Sequence, residues 1–529
     1  MRGRNVPCVH AGLRVEAPDG VRLATDVYRP GAGRPVPAVL LRTYLGKARH
    51  QEEALAWVRE GFACVVQDVR GRYDSDGSWE PYVHERADGA AAARWTAGQP
   101  WCDGRVVVAG GSYGAFTAWA AALESPVVRA AAVSVPAMHR VNFAPGGVLK
   151  LLNHTAWWMA HGDARTERTR LFEAMCRACP DLLARLPVCA LPPNVWAALP
   201  GWLPAALAGP GRPAVSDADL AGLALPVLHI GGWHDPFIAQ TIHQQATAGS
   251  AVAPRPIRRI IVGPWTHELH SHVPAVYGAR TYGPASRLPL GRLQAEFFRG
   301  ALADCTAPAA QLFLTGANRW LTGDGWPPVP VAPCTWFASA GGALAPEPPR
   351  AGGSVSFSYD PLSPYPGRNG PVDQSDLLRR PDTTAFTSPP LAAPLTWIGG
   401  PRVILHAATD APGTDWVARL HEVLPDGRSL YLGHGLVDAA QELARDGGKL
   451  VPGEAHRVEI DLPPLAITLP AGHRLRLEIT SSDFPAHARN LNTGACRLTT
   501  SATRVARQTI LHGPSAPTAL VLPVAQELP

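Results

Sequence analysis

Ser112 stands in Gly110-Gly111-Ser112-Tyr113-Gly114, between an apolar run over 106–109 and a small-residue stretch holding Ala115, Ala118, Ala120, Ala121 and Ala122. Strand, sharp turn and helix are the setting in which G-x-S-x-G presents a serine above a sheet edge. The glycines permit a turn that a Cβ would block. A serine hydroxyl is a weak nucleophile; it needs a base in hydrogen-bond reach and a carboxylate to orient that base. Around such a turn the chain order is Ser, then Asp or Glu, then His. Asp235 ends Gly232-Trp233-His234-Asp235 and His267 ends Gly263-Pro264-Trp265-Thr266-His267, each directly after an expected strand and in that order. His234, His270 and His272 compete for the base; His267 is preferred because it comes first after its strand. The bland alternatives are a solvated serine in a Gly-rich turn and an Asp235 that serves only the turn before Pro236. Taken together, the three residues imply acyl transfer through an acyl-serine.

Positioning them requires a parallel sheet. Residues 12–29 alternate in polarity around Pro18-Asp19-Gly20, a hairpin signal. Apolar runs at 36–41, 62–66, 106–109, 127–135, 224–230 and 257–262 read as buried strands. Helical stretches at 52–60, 85–97 and 239–248 alternate with them. The pattern predicts βαβ units in an α/β, doubly wound sheet, with ligands at the carboxyl ends of the strands, where Ser112, Tyr44 and Asp68 lie. The alternation breaks over 136–223, which carries helical segments and Trp157, Trp158, Trp196 and Trp202, and reads as an inserted helical cap. From 309 onward short alternating runs between Gly, Pro and Asp turns predict a β-sandwich or jelly roll. The expected units are therefore 1–135 and 224–308 for the sheet domain, 136–223 for the cap, and 309–529 for the β-domain.

A chain of 529 residues exceeds one core. With 46% apolar and 17% charged residues its composition is that of a globular protein. The net charge of +5 and the lack of a Lys/Arg-rich run give no nucleic-acid signature. There is no run of 18 apolar residues for a membrane span, and the N-terminal residues do not read as a secretory signal. Nine scattered cysteines suit reduced thiols in a cytoplasmic protein; Cys176-x-x-Cys179 has no partner pair for a metal and reads as packing.

Further motifs carry a family resemblance. Val21-Arg22-Leu23-Ala24-Thr25-Asp26-Val27-Tyr28-Arg29-Pro30, residues 67–72, Gln99-Pro100-Trp101-Cys102-Asp103-Gly104-Arg105, the serine turn and the two segments ending in Asp235 and His267 resemble the CocE/NonD hydrolases. So do Pro371-Val372-Asp373-Gln374, Ala411-Pro412-Gly413-Thr414-Asp415, Leu469-Pro470-Ala471-Gly472-His473-Arg474 and Arg489-Asn490-Leu491-Asn492-Thr493-Gly494 in the second half. The resemblance implies an α/β-hydrolase domain with an inserted helical cap, followed by a C-terminal β jelly-roll domain of the X-Pro dipeptidyl-peptidase kind. It implies Ser112, Asp235 and His267 as the triad, and neither cofactor nor metal.

The oxyanion hole is expected from the backbone N–H of Tyr113 and from Tyr44. The family reads Arg-Thr-Pro-Tyr-Gly-Lys where this chain has Arg42-Thr43-Tyr44-Leu45-Gly46-Lys47, so Tyr44 stands one residue early. A second departure is Pro236 in place of a small residue, which stiffens the wall beside Phe237. Phe237 matches a family aromatic and, with Trp157 or Trp158, is the candidate apolar substrate pocket; cap packing is the other role for the tryptophans. No acidic cluster in the cap suits a substrate ammonium, and the long N-terminal extension of typical X-Pro peptidases is missing. These points favour a small-molecule ester or acyl-amide substrate. The other readings are an aminopeptidase or dipeptidyl-peptidase, an acyltransferase or cyclase on the same fold, and a non-catalytic binding module. The expected partners include no nucleic acid and no membrane, with room for a homodimer.

Overall fold

The computed structural model describes all residues except 1–5, 32–33, 139–142, 145, 163, 191–200, 210–213, 270–275, 306–308 and 369. The first half is built on one sheet whose strands lie where the apolar runs predict: β1 Cys8–Glu16, β2 Arg22–Arg29, β3 Val36–Thr43, β4 Ala63–Asp68, β5 Cys102–Gly111, β6 Val128–Ser134, β7 Val227–His234 and β8 Arg258–Thr266. Their order is β1-β2-β4-β3-β5-β6-β7-β8, antiparallel in the first three and parallel from β4 to β8. Strands buried on both faces need helices on both sides. Helices α1 Gln51–Arg59, α2 Glu85–Ala97 and α3 Tyr113–Glu124 supply them with Leu290–Leu302. One face buries Phe116, Trp119 and Val108 against α2 and α3; the other buries Trp57, Phe62 and Phe298. This is the α/β-hydrolase arrangement.

Between β6 and β7 lie α4 Leu151–Ala160, α5 Thr169–Ala178 and the short helices Trp202–Leu207 and Asp217–Ala221, with no named strand among the described residues there. They share a core of Leu149, Leu151, Trp158, Met159, Leu182 and Trp202 with Ala488 and Leu498 of the C-terminal domain. Trp196 falls outside the described residues.

The segment after the expected boundary at 308/309 begins with a hairpin that joins the first sheet. After the ribbon β9 Val276–Tyr277 and β10 Arg280–Thr281, strand β11 Ala309–Leu314 pairs parallel with β8, and β12 Arg319–Gly323 pairs antiparallel with β11. The sheet therefore has 10 strands and runs on to Gly323. A two-residue periodicity marks a strand but not the sheet it joins, so this hairpin reads like the strands that follow it.

From Val331 the chain forms a β-domain of 13 strands. Its core includes Trp336, Trp397, Trp416, Ile467 and Leu477, and is continuous with Trp233, Ile238, Ile260, Val262 and Leu312 of the first sheet. The strands that end in Asp235 and His267 are thus packed from behind by the second domain. No helix among the described residues is long and apolar enough to cross a membrane. All nine cysteines are free.

Candidate active site

Ser112 follows β5 at φ 56°, ψ −122° and caps α3. A non-glycine residue rarely adopts positive φ, and the surroundings must hold it there. Two contacts do so: Ser112 N–H donates to Ser134 O at 3.0 Å, and Ala115 N–H donates back to Ser112 O at 3.1 Å. A Cβ on Gly110 would lie 2.2 Å from Gly114 O, so that position admits only glycine. Gly114 is not so constrained, the nearest atom to its Cβ being Arg42 O at 3.8 Å.

Asp235 and His267 follow the adjacent strands β7 and β8. Their carboxyl ends lie side by side because β7 and β8 pair in parallel, so closely that a Cβ at Gly232 would meet Trp265 O at 2.2 Å. His267 Nδ1 lies 2.8 Å from Asp235 Oδ1, and Ser112 Oγ lies 3.0 Å from His267 Nε2. The carboxylate can only accept, so Nδ1 carries the proton and Nε2 is left to accept the serine O–H. Asp235 is buried and its Oδ2 has no hydrogen-bond partner among the described residues; Ser112 is half-buried. The base can therefore take the serine proton while the buried carboxylate steadies the cation formed.

The rival histidines fall elsewhere. His234 hydrogen-bonds Tyr282 Oη at 2.7 Å and packs on Tyr277, while His270 and His272 lie outside the described residues. Phe237 packs edge-on to His267 with ring centroids 5.3 Å apart, so the expected pocket aromatic borders the base.

Tyr113 opens α3, where the first four N–H groups have no intrahelical acceptor. Its side chain turns away: the buried hydroxyl donates to Glu85 and accepts from Tyr82 N–H. Tyr44 is packed against the Tyr113 ring at 5.0 Å and against His161 at 4.8 Å. The Trp157 ring lies 6.4 Å from that of Tyr44, and burial pushes the Tyr44 phenol up to about 12, so it stays a proton donor at neutral pH. Trp157, half-buried, spans this wall and the cap. Trp158 is corrected as a pocket residue: it is 0% exposed and fills the cap core. On an amphipathic helix adjacent tryptophans face different ways, and the sequence does not say which faces the cleft.

Two residues given no role by the sequence also belong here. Arg72, fully buried, donates from Nε to Tyr44 O at 2.9 Å and from Nη1 to His161 O at 3.2 Å and to Ala164 O. Lys150, just before α4, brings its ammonium to 3.4 Å from Pro236 O and 5.5 Å from the Phe237 ring centroid. A separate group, His434, Asp483 and His487, has ligand atoms within 4.8 Å of one another. There the Arg419 guanidinium already sits 2.6 Å from Asp483 Oδ1, both side chains fully buried, and occupies the cation's place.

A strained serine on a strand-to-helix turn, joined through histidine to a buried aspartate from the next strands of an α/β sheet, defines a serine hydrolase. Residues 19–268 match the X-Pro dipeptidyl-peptidase (S15 family), and residues 305–521 match the X-Pro dipeptidyl-peptidase C-terminal non-catalytic domain. Cocaine esterase of Rhodococcus sp. (strain MB1 Bresler) is 30% identical, with 98% of each chain covered. The chain belongs to the CocE/NonD hydrolase family. An aminopeptidase of a marine sediment Thaumarchaeota archaeon shares the fold with a TM-score of 0.84 at 21% identity, over 98% of this chain and 96% of that one. An α-amino acid ester hydrolase does so with a TM-score of 0.81 at 21% identity, over 99% and 97%.

Proposed function

We propose that Ser112, His267 and Asp235 form the catalytic triad of an esterase that acts on a small, largely apolar acyl group. The observation that carries this is the unbroken contact from Ser112 Oγ to His267 Nε2 and from Nδ1 to Asp235. Ser112 Oγ attacks the acyl carbon as its proton passes to His267. The tetrahedral oxyanion takes hydrogen bonds from the Tyr113 N–H and the Tyr44 hydroxyl. The ester C–O bond breaks as His267 returns the proton to the departing alcohol. A water, deprotonated by the same imidazole, then splits the acyl-serine and releases the carboxylic acid.

The S15 match favours one other reading, removal of a dipeptide from a free amino terminus. That chemistry calls for a carboxylate to hold the substrate ammonium. Beside Phe237 the structure offers the ammonium of Lys150 instead. Free thiols throughout the chain support a cytoplasmic protein.

The test is a panel of p-nitrophenyl esters, amino-acid amides and Xaa-Pro amides with the native chain and Ser112→Ala. Ester turnover that disappears in Ser112→Ala is expected. Turnover confined to Xaa-Pro amides would replace this reading with the peptidase, and ester turnover retained by Ser112→Ala would contradict it.

A further inference from the structure

The segment that carries Lys150 is fixed by the C-terminal domain. Asp438 N–H donates to Gly146 O at 3.1 Å, Ala488 N–H to Leu149 O at 2.9 Å, and Leu152 N–H donates to Pro485 O at 3.2 Å. Held from both sides, the lysine stem leaves the cap and passes beside Phe237, so that Pro236, Phe237 and the ammonium form one wall of the cleft next to the base. The side chain is half-buried. Among the described residues no carboxylate lies within ion-pair distance of it, whereas Lys47 pairs with Asp74 at 2.7 Å and Asp26 at 3.7 Å. The negative charge felt by Lys150 is that of Asp235, whose carboxylate is buried and already bonded to His267. Among the described residues the only hydrogen bond of the ammonium is to the Pro236 carbonyl, and burial pushes its pKa down. A cation with donors to spare, beside an aromatic face and open to the cleft, is a seat for an anion.

Resting on the esterase reading above, we propose that Lys150 binds a carboxylate of the substrate, and that the preferred substrates are esters bearing a carboxylate a few bonds from the scissile carbonyl. The carboxylate belongs either to the acyl group, as in a dicarboxylic acid monoester, or to the alcohol. Phe237 packs on the apolar stretch between the two ends, and Lys150 holds the far end so that the carbonyl meets Ser112.

The experiment compares kcat/KM for pairs that differ in one charge. The acyl arm is p-nitrophenyl hemiglutarate against p-nitrophenyl valerate. The alcohol arm is para-valeryloxybenzoate against its methyl ester. Each pair is measured with the native chain, Lys150→Met and Lys150→Arg. In one arm the anionic-to-neutral ratio is expected to fall about 10- to 100-fold in Lys150→Met and to be largely kept in Lys150→Arg; the arm that responds identifies the side bearing the carboxylate. Should Lys150→Met not fold, Lys150→Gln takes its place. A ratio unmoved in both arms, with the neutral esters still cleaved, overturns the assignment and leaves the esterase standing. An equal loss on anionic and neutral esters also overturns it, showing that Lys150 acts on Asp235 rather than on substrate. If the native chain cleaves none of the four esters, the esterase reading itself fails.

Discussion

Arg72 Nε lies 2.9 Å from the carbonyl oxygen of Tyr44, and the same guanidinium reaches the cap at His161 and Ala164. It stacks 4.4 Å above the Trp79 ring, and burial pushes its pKa down to about 10. One side chain thus ties the loop after β3 to the cap. Arg72→Met strips donors from these carbonyls and is expected to cost roughly 2–4 kcal/mol. Arg72→Lys, a point charge without the planar fork, recovers part of that. If Tyr44 serves the oxyanion, kcat falls in both while KM changes less. Denaturant titration and ester kinetics check the two halves, and an unchanged kcat in Arg72→Met would remove Tyr44 from the oxyanion hole.

The serine turn makes unequal demands on its glycines. Gly110→Ala forces a Cβ against Gly114 O, displaces Ser112 and is expected to lower kcat by about 100-fold or more. Gly114→Ala meets nothing closer than 3.8 Å and is expected to stay within a few fold. Equal losses in the two variants would show that the elbow is not arranged this way.

Trp157 and Trp158 should separate by what they change. Trp158→Ala empties a fully buried site and is expected to cost about 3–5 kcal/mol of stability. Trp157→Phe keeps a ring in a half-buried site but shrinks the wall beside Tyr44, so its effect falls on kcat/KM with the melting temperature little changed. Thermal melts and ester kinetics on both variants decide this.

Stability should fall in mild acid. Burial pushes His154 down to about 4 and His229 down to about 3 from an ordinary 6.5. Both stay neutral in the native state at pH 5, whereas the unfolded chain protonates them. The unfolded state then binds more protons, so the stability present above pH 6.5 is lost as pH falls towards 4. Each histidine contributes roughly 2 kcal/mol of that loss at pH 5. Urea midpoints at pH 7.5 and pH 5 measure the loss, and His229→Gln should flatten the slope; a midpoint constant between the two would contradict the assignment.

Much of this was legible in the residues alone. The helix expected over 85–97 is Glu85–Ala97 in the structure, because an alanine-rich run after Glu85 and before Gly98-Gln99-Pro100 has clear ends. Ser112, Asp235 and His267 could be picked out because each sits where an apolar run stops, and strand ends are where a parallel sheet places its chemistry. Lys150 gave no such signal: a lone lysine in an irregular segment acquires its place only from the C-terminal domain that holds Gly146, Leu149 and Leu152. Arg72 lay in a recognised motif, but its role depends on carbonyls far along the chain. That the hairpin β11–β12 joins β8 is not legible from its alternation, because the pairing is set by packing of Leu312 against Val262.

The most direct measurement is covalent. The native chain is treated with a fluorophosphonate, and the modified peptide is mapped by mass spectrometry alongside Asp235→Asn and His267→Ala. A single adduct on Ser112 is expected, formed at least about 10³-fold more slowly in either variant because the serine loses its base or the base its orientation. An adduct on another serine, or labelling of Ser112 at the native rate after His267→Ala, would contradict the triad.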